Sequence, residues 1–190
     1  KKGQNFQRVN DIIERAMKLD SENLQLIVFR LETLMDLDDV VSALSLFEKY
    51  YDQLKEYKHM RVISFLDNFI EERFNLKANN DLKRKKALTL AAKIFNVFQQ
   101  LDNLKMNQAE DKARELLAEI KDLAPKNSQI ALDILARYLD AELYDDFADF
   151  AEELETEQMK NPDYLRLLFR ADYQQGRIKE AEEKIKTAFN

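Results

Sequence analysis

Three residues near the C-terminal end of the chain have types and spacing suited to binding another protein. Arg166, Arg170 and Tyr173 lie four and three positions apart, which places them along one stripe of an α-helix. Arg and Tyr are enriched among the side chains that dominate binding energies at protein interfaces. The stripe therefore predicts a partner-binding surface. The alternative is that Arg170 pairs with a carboxylate of a neighbouring helix and is structural.

Residues that catalysis or metal binding would need are scarce. His59 is the only histidine, and Glu56 precedes it at the spacing Glu-x-x-His, but a di-iron bundle needs a second motif of this kind. The chain has no cysteine and two isolated glycines, which leaves no thiolate ligand and no glycine-rich phosphate loop. We therefore predict that the protein is not an enzyme and has no cofactor or metal site.

Two charged segments are further candidates. The segment Asp140–Glu157 contains nine carboxylates and no Lys or Arg, so it predicts either an acidic patch for a basic partner or a solvated helix face. The basic run Lys83–Lys86 begins a predicted helix, where cations oppose the helix dipole at a cost of roughly 0.3–1 kcal/mol. This run indicates either an acidic partner, such as a protein or membrane headgroups, or ordinary solubilising charge.

Composition limits the classes of protein that fit. The 190 residues are 45% hydrophobic and 35% charged, with two Gly and two Pro, which favours a folded, all-helical chain. The net charge of −6 argues against general nucleic-acid binding. No apolar run approaches the roughly 20 residues of a membrane-spanning helix, so we expect no direct membrane insertion. Composition leaves both cytoplasm and periplasm open.

Apolar residues recur at helical spacing along the whole chain, separated by short polar breaks. Ser128 and Asp81 are predicted N-caps, Pro162 suits a first helical position, and Gly176 is a natural helix terminator. The pattern predicts about ten helices, near residues 6–19, 24–37, 40–54, 60–76, 82–101, 108–123, 128–139, 144–154, 162–176 and 178–189.

A period of 34 residues relates many of these helices. Val9 and Ala43 are 34 positions apart, as are Ala113, Phe147 and Ala181 in succession. We expect each of these five residues to begin the packed half of its unit. A two-helix unit repeating at this period is the signature of a helical solenoid, whose units bury their apolar faces by stacking. The period fails between Ala43 and Ala113, so we divide the chain into a repeat-like segment 1–57, an irregular middle 58–107 and a repeat-like segment 108–190.

The repeat resembles the tetratricopeptide repeat (TPR) family. The turn Gln175–Ala181 is similar to the family's inter-helix turn and the small packing residue after it, and Tyr138 matches its inward-facing tyrosine. Asp172 replaces that tyrosine in the last unit, and Phe147 replaces a small residue. The resemblance implies a right-handed α–α superhelix of about ten helices, with a concave groove lined by the first helix of each unit.

The family's register places Arg166, Arg170 and Tyr173 in this groove. The same register adds residues of two other helices to the groove: Gln25, Val28, Glu32, Met35, Gln129, Leu132, Ala136 and Leu139. The resemblance thus implies a non-catalytic scaffold that binds a protein or peptide partner. Residues 5–23 resemble only the second helix of a unit, so we expect the chain to be part of a larger polypeptide or assembly.

Two alternatives remain open. A TPR region of a bacterial envelope secretion or polysaccharide-export system would bind partner proteins or glycan. A peptide-sensing regulator would use ligand binding to change the curvature of the superhelix. One helical fold hosts many functions, and the sequence does not choose among these three.

Overall fold

The computed structural model describes the backbone of residues 2–37, 39–56, 60–77, 80–104 and 109–182, and every regular element within these ranges is helix. The all-α prediction is confirmed. The α-helices are α1 (Lys2–Leu19), α2 (Leu24–Asp36), α3 (Val40–Glu56), α4 (Met60–Phe74), α5 (Asp81–Asp102), α6 (Ala109–Ala118), α7 (Gln129–Asp140), α8 (Tyr144–Gln158) and α9 (Pro162–Gln174). A short 3-10 helix spans Lys121–Leu123, and a further helical segment, α10, begins at Ile178. Among these residues, no helix combines the length and the apolarity needed to cross a membrane.

Short polar side chains begin most helices. Asn23, Ser128 and Asn161 each accept a hydrogen bond from a backbone N–H in the first turn of α2, α7 and α9, which satisfies a donor that the helix itself leaves unpaired. The predicted cap of α5 is wrong by one residue. Asn80 is the cap, because its Oδ1 accepts from the backbone N–H of Lys83 at 2.9 Å.

One type of turn ends α7 and α9. The backbone N–H groups of Leu143 and Arg177 donate to the carbonyls five residues earlier, at 2.9 and 2.8 Å. This bond defines a Schellman turn, which requires a left-handed residue just before the donor. Gly176 fills that position with φ 75° and Glu142 fills it with φ 58°. The two turns are 34 residues apart, and the N–H of Asp39 makes the same bond after α2.

The chain forms two compact units. The N-terminal unit comprises residues 1–71 and 76–99, and the C-terminal unit comprises residues 72–75 and 100–190. These units are defined by spatial contacts, whereas the predicted segments 1–57, 58–107 and 108–190 are defined by sequence period. The three-segment division therefore stays a prediction about repeats.

In the C-terminal unit, α6 and α8 run in the same direction. Arg114 Nε contacts Asp146 at 2.9 Å, and Lys121 Nζ, just after α6, contacts Glu153 at 3.3 Å. Both pairs join residues 32 positions apart. A constant separation means that moving along one helix moves the contact equally far along the other, so the two helices are parallel.

Helices α7 and α9 of the same unit are also parallel. Arg170 Nη2 lies 2.8 Å from Asp140 Oδ1, 30 positions away along the chain. Asp133 interacts electrostatically with Asp163, which is again 30 positions away. Alternate helices therefore share a direction throughout α6–α9, as a stack of two-helix units requires.

In the N-terminal unit, α3 and α5 run in opposite directions. Lys55 pairs with Asp81, and Lys85 Nζ pairs with Asp52 at 2.7 Å. Further along, Glu48 of α3 and Leu88 of α5 line one shallow cleft. Each step towards the start of α3 is matched by a step towards the end of α5. The alternation of directions seen in α6–α9 does not hold between α3 and α5, and the 34-residue period does not continue beyond Ala43 of α3.

Four of the five residues that mark the period are buried: Ala43, Ala113, Phe147 and Ala181. The prediction for the fifth is wrong, because Val9 is 43% exposed. Helix α1 packs on α2 and buries Ile13 and Met17 instead. Burial of these two positions places Val9 on a neighbouring, uncovered side of α1.

Candidate protein-binding surface

Helix α7 has one buried side and one polar side. Its apolar residues at positions 130, 131, 134, 135 and 138 are buried. Gln129, Asp133, Arg137 and Asp140 recur every three or four residues on the other side, and each is at least partly exposed. This amphipathic pattern follows from the 3.6-residue period of the helix. It leaves a stripe of four polar side chains next to α9.

Asp133 is the most enclosed carboxylate of the stripe, with a side chain 30% exposed. Its oxygens accept from Gln129 Nε2 at 3.3 Å and from Arg73 Nη1 at 3.3 Å. Burial nevertheless raises the pKa of Asp133 above its usual value, because desolvation of the carboxylate outweighs the Gln129 hydrogen bond and the attraction of Arg73. The ionised form of Asp133 is therefore less favoured than that of a fully solvated aspartate.

The other charges of α7 are paired across helices. Arg137 pairs with Asp102 through both terminal nitrogens. Asp140 pairs with Arg170 of α9 through a single contact of 2.8 Å, and these two side chains are 48% and 42% exposed. An exposed pair of this kind contributes about 0–1 kcal/mol. Arg170 can therefore exchange Asp140 for a carboxylate of a partner at little cost.

Helix α9 presents a basic and aromatic stripe beside α7. Arg166 is 77% exposed and forms an ion pair with Asp163, one turn earlier on its own helix, at 3.0 Å. Tyr173 is 59% exposed, and its ring stacks on Phe169 with the centroids 6.1 Å apart. Stacking orders the phenol ring and leaves much of its surface open to a partner.

Together these side chains form one surface, which we name the α7–α9 face: Gln129, Asp133, Arg137, Asp140, Arg166, Arg170 and Tyr173. It carries both signs of charge, two exposed arginines and an exposed aromatic ring. Such a surface suits recognition of a polar segment with carboxylates, since Arg binds carboxylates with directional hydrogen bonds.

The predicted site residues do not all lie on one surface. Arg166, Arg170, Tyr173 and Gln129 lie on the α7–α9 face. Leu132 does not, because it is 1% exposed and lies in the core of the C-terminal unit. Its position on the apolar side of α7 buries it, so the predicted groove contact is wrong for this residue. Met35 lies half-buried on α2 in the N-terminal unit.

Sequence reasoning missed two members of the face. Asp133 and Arg137 follow Gln129 at helical spacing of four residues, and this spacing could have identified them. Their partners Arg73 and Asp102 are distant in sequence, and no local pattern predicts those pairings. The pairing that the alternative interpretation of Arg170 required is present, and Asp140 is the carboxylate.

The acidic segment Asp140–Glu157 is partly neutralised within the protein. Three of its nine carboxylates form ion pairs. Asp140 pairs with Arg170 and Asp146 pairs with Arg114, as described above. Glu153 pairs with Lys126 at 3.2 Å. The remaining six are exposed: Glu142, Asp145, Asp149, Glu152, Glu155 and Glu157. A solvated acidic face therefore remains on α8, separate from the paired Asp140.

The basic run at the start of α5 is also partly neutralised. Arg84 donates to both oxygens of Asp67, at 2.6 and 2.8 Å, and Lys85 pairs with Asp52. Lys83 and Lys86 are exposed. Internal carboxylates of the N-terminal unit thus account for two of the four cations, and an acidic partner is not needed to explain them.

Among the described residues, no group of three or more His, Cys, Asp or Glu side chains is placed to hold a metal ion. His59 lies outside the described residues. Comparison with known proteins finds no matching family model, no matching curated protein and no matching solved structure.

Proposed function

We propose that this protein is a non-catalytic interaction module of the TPR type, a right-handed α–α superhelix that binds a protein or peptide on its α7–α9 face. The observation that carries the proposal is the exposed, weakly paired Arg170 beside Arg166 and Tyr173. Arg and Tyr dominate binding energies at protein interfaces. Internal contacts orient these three side chains and leave much of their surface exposed.

The helix directions support the TPR-type architecture. In a stack of two-helix units, first helices are parallel to one another and so are second helices. The parallel pairs α6/α8 and α7/α9 have this relation, and the two Schellman turns repeat it after 34 residues. Under this reading α7 and α9 are successive first helices, whose shared surface lines the concave side.

The proposal can be tested with peptides selected from a random library for binding to the purified chain. We expect the selected peptides to contain carboxylates and to bind more weakly at high salt, because screening reduces attraction between exposed charges. Arg170→Ala should weaken them by about 2 kcal/mol or more, which is about thirtyfold in Kd.

Two variants sharpen the result. Asp140→Asn releases Arg170 from its internal partner and should strengthen binding severalfold, which no merely structural role for Arg170 would produce. Asp145→Asn with Asp149→Asn neutralises the exposed acidic face of α8 and should leave binding unchanged. If only this second variant loses binding, the acidic face of α8 is the site and the α7–α9 face is not.

A further inference from the structure

Helix α1 carries an apolar stripe that the rest of the described chain does not cover. Val9 is 43%, Ile12 65% and Leu19 92% exposed, and Ala16 is half-buried. The spacing of three, four and three residues places these side chains along one side of α1. The stripe extends over about 15 Å, or three helical turns, which is the length of contact that a second helix makes.

The stripe has a basic edge. Arg8 and Arg15 lie two turns apart on the same side of it, both are exposed, and neither forms an ion pair within the residues that the structure describes. Helix α1 holds more cations than anions although the whole chain has a net charge of −6: Lys2, Arg8, Arg15 and Lys18 against Asp11 and Glu14. This local excess of positive charge attracts carboxylates that the rest of the protein repels.

From this apolar stripe and its basic edge, we infer that α1 is a docking site for an amphipathic helix of a partner protein, with carboxylates along one edge. The apolar side of the partner helix covers Val9, Ile12 and Leu19, so that two amphipathic helices pack along their apolar sides. Its carboxylates, spaced about two turns apart, pair with Arg8 and Arg15. This surface belongs to the N-terminal unit and is independent of the proposed function of the α7–α9 face.

A second copy of the chain fits the stripe less well. In an antiparallel pair of α1 helices related by a twofold axis, the stripes overlap only when the axis passes near residue 14. The basic edge of one helix then lies beside the basic edge of the other. The two Arg15 side chains, which lie next to the axis, are close together. Like charges facing each other across such an interface oppose association, whereas an acidic edge on the partner removes this repulsion.

The test uses two synthetic helical peptides with the same apolar stripe, one with Glu and the other with Lys along the edge. Binding to the purified chain is measured by fluorescence anisotropy. We expect the Glu peptide to bind at least tenfold more tightly than the Lys peptide. The double variant Arg8→Glu, Arg15→Glu should reverse this order, and Ile12→Asp should abolish binding of both peptides.

Lys93→Glu, at an exposed position of α5, changes the net charge without touching α1 and should preserve the tenfold preference. Circular dichroism checks that the exposed substitutions leave the helices intact. Equal binding of the two peptides, no binding of the Glu peptide, or an unchanged order in the double variant would overturn the inference. Self-association that Ile12→Asp abolishes would also overturn it, because a second copy would then be the occupant.

Discussion

Helices α6–α9 of the C-terminal unit and helices α3–α5 of the N-terminal unit differ in how alternate helices are oriented. In the first group alternate helices are parallel, and ion pairs join them at a constant separation along the chain. In the second group α3 and α5 are antiparallel, and ion pairs join the last residues of α3 to the first residues of α5. The 34-residue period relates residues of the first group, whereas in the second group it does not continue beyond Ala43 of α3.

One ion pair from each unit differs in burial and in the number of its contacts. In the N-terminal unit, Arg84 and Asp67 are 23% and 32% exposed and bond through two nitrogens, so their pair is built into the packing of α4 against α5. In the C-terminal unit, the pair of Arg170 and Asp140 is more exposed and has one contact. The comparison is therefore between a partly buried pair with two contacts in the N-terminal unit and a more exposed pair with a single contact in the C-terminal unit.

High pH should produce the largest effect, and it should fall on the C-terminal unit. Burial raises the pKa of both Tyr138 and Tyr164 to about 12, whereas an unfolded chain ionises tyrosine near 10. The contribution of these neutral phenols is complete below pH 10 and is lost as pH rises to 12, at about 2 kcal/mol for each tyrosine. Tyr51 of the N-terminal unit also has a raised pKa, but a hydrogen bond with Arg84 opposes the effect of its burial.

Urea unfolding measured between pH 9 and 11.5 checks this prediction. Tyr138→Phe should remove about half of the loss of stability that the two tyrosines together cause at high pH. If the variant showed the same slope as the unsubstituted protein, the phenol of Tyr138 would ionise as readily in the folded state as in the unfolded chain.

Replacement of the two arginines tests the contrast in ion pairing directly. Arg84→Ala should lower the free energy of unfolding by about 2–3 kcal/mol, because it leaves the partly buried Asp67 without its two charged hydrogen bonds. Arg170→Ala should cost less than about 1 kcal/mol, since its pair is exposed. Arg84→Lys should fall between them, because an ammonium group does not form the two-nitrogen contact. Equal losses for Arg84→Ala and Arg170→Ala in urea unfolding would remove the distinction between the units.

The two Schellman turns of the C-terminal unit offer the smallest and most local test. Glu142→Gly should stabilise the protein by about 0.5–1 kcal/mol, because glycine adopts a positive φ without strain. Gly176→Ala should destabilise it by about 1 kcal/mol through backbone strain alone, since an added Cβ would meet no atom within 4 Å. Thermal unfolding midpoints that do not move in opposite directions would show that the two turns are not equivalent.

The sequence alone determined the local features of this protein. Apolar spacing identified the helices, Ser128 and Pro162 marked helix starts, and Gly176 marked a helix end, because each of these depends on residues within one or two turns. The 34-residue period likewise anticipated the burial of Ala113 and Ala181. The irregular middle predicted at 58–107 contains α5, one of the two antiparallel helices, whereas the other, α3, lies before it.

The tertiary structure decided which side of each helix is covered and which charges meet. Val9 was expected inside and is exposed, whereas Leu132 was expected on a binding surface and is buried. A helical pattern shows that residues share a side, but burial depends on the neighbouring helix that packs there. The pairs of Arg84 with Asp67 and of Arg170 with Asp140 likewise join residues 17 and 30 positions apart. Only the packing of separate helices brings such residues within reach, so no local pattern could predict either pair or show that one is more exposed than the other.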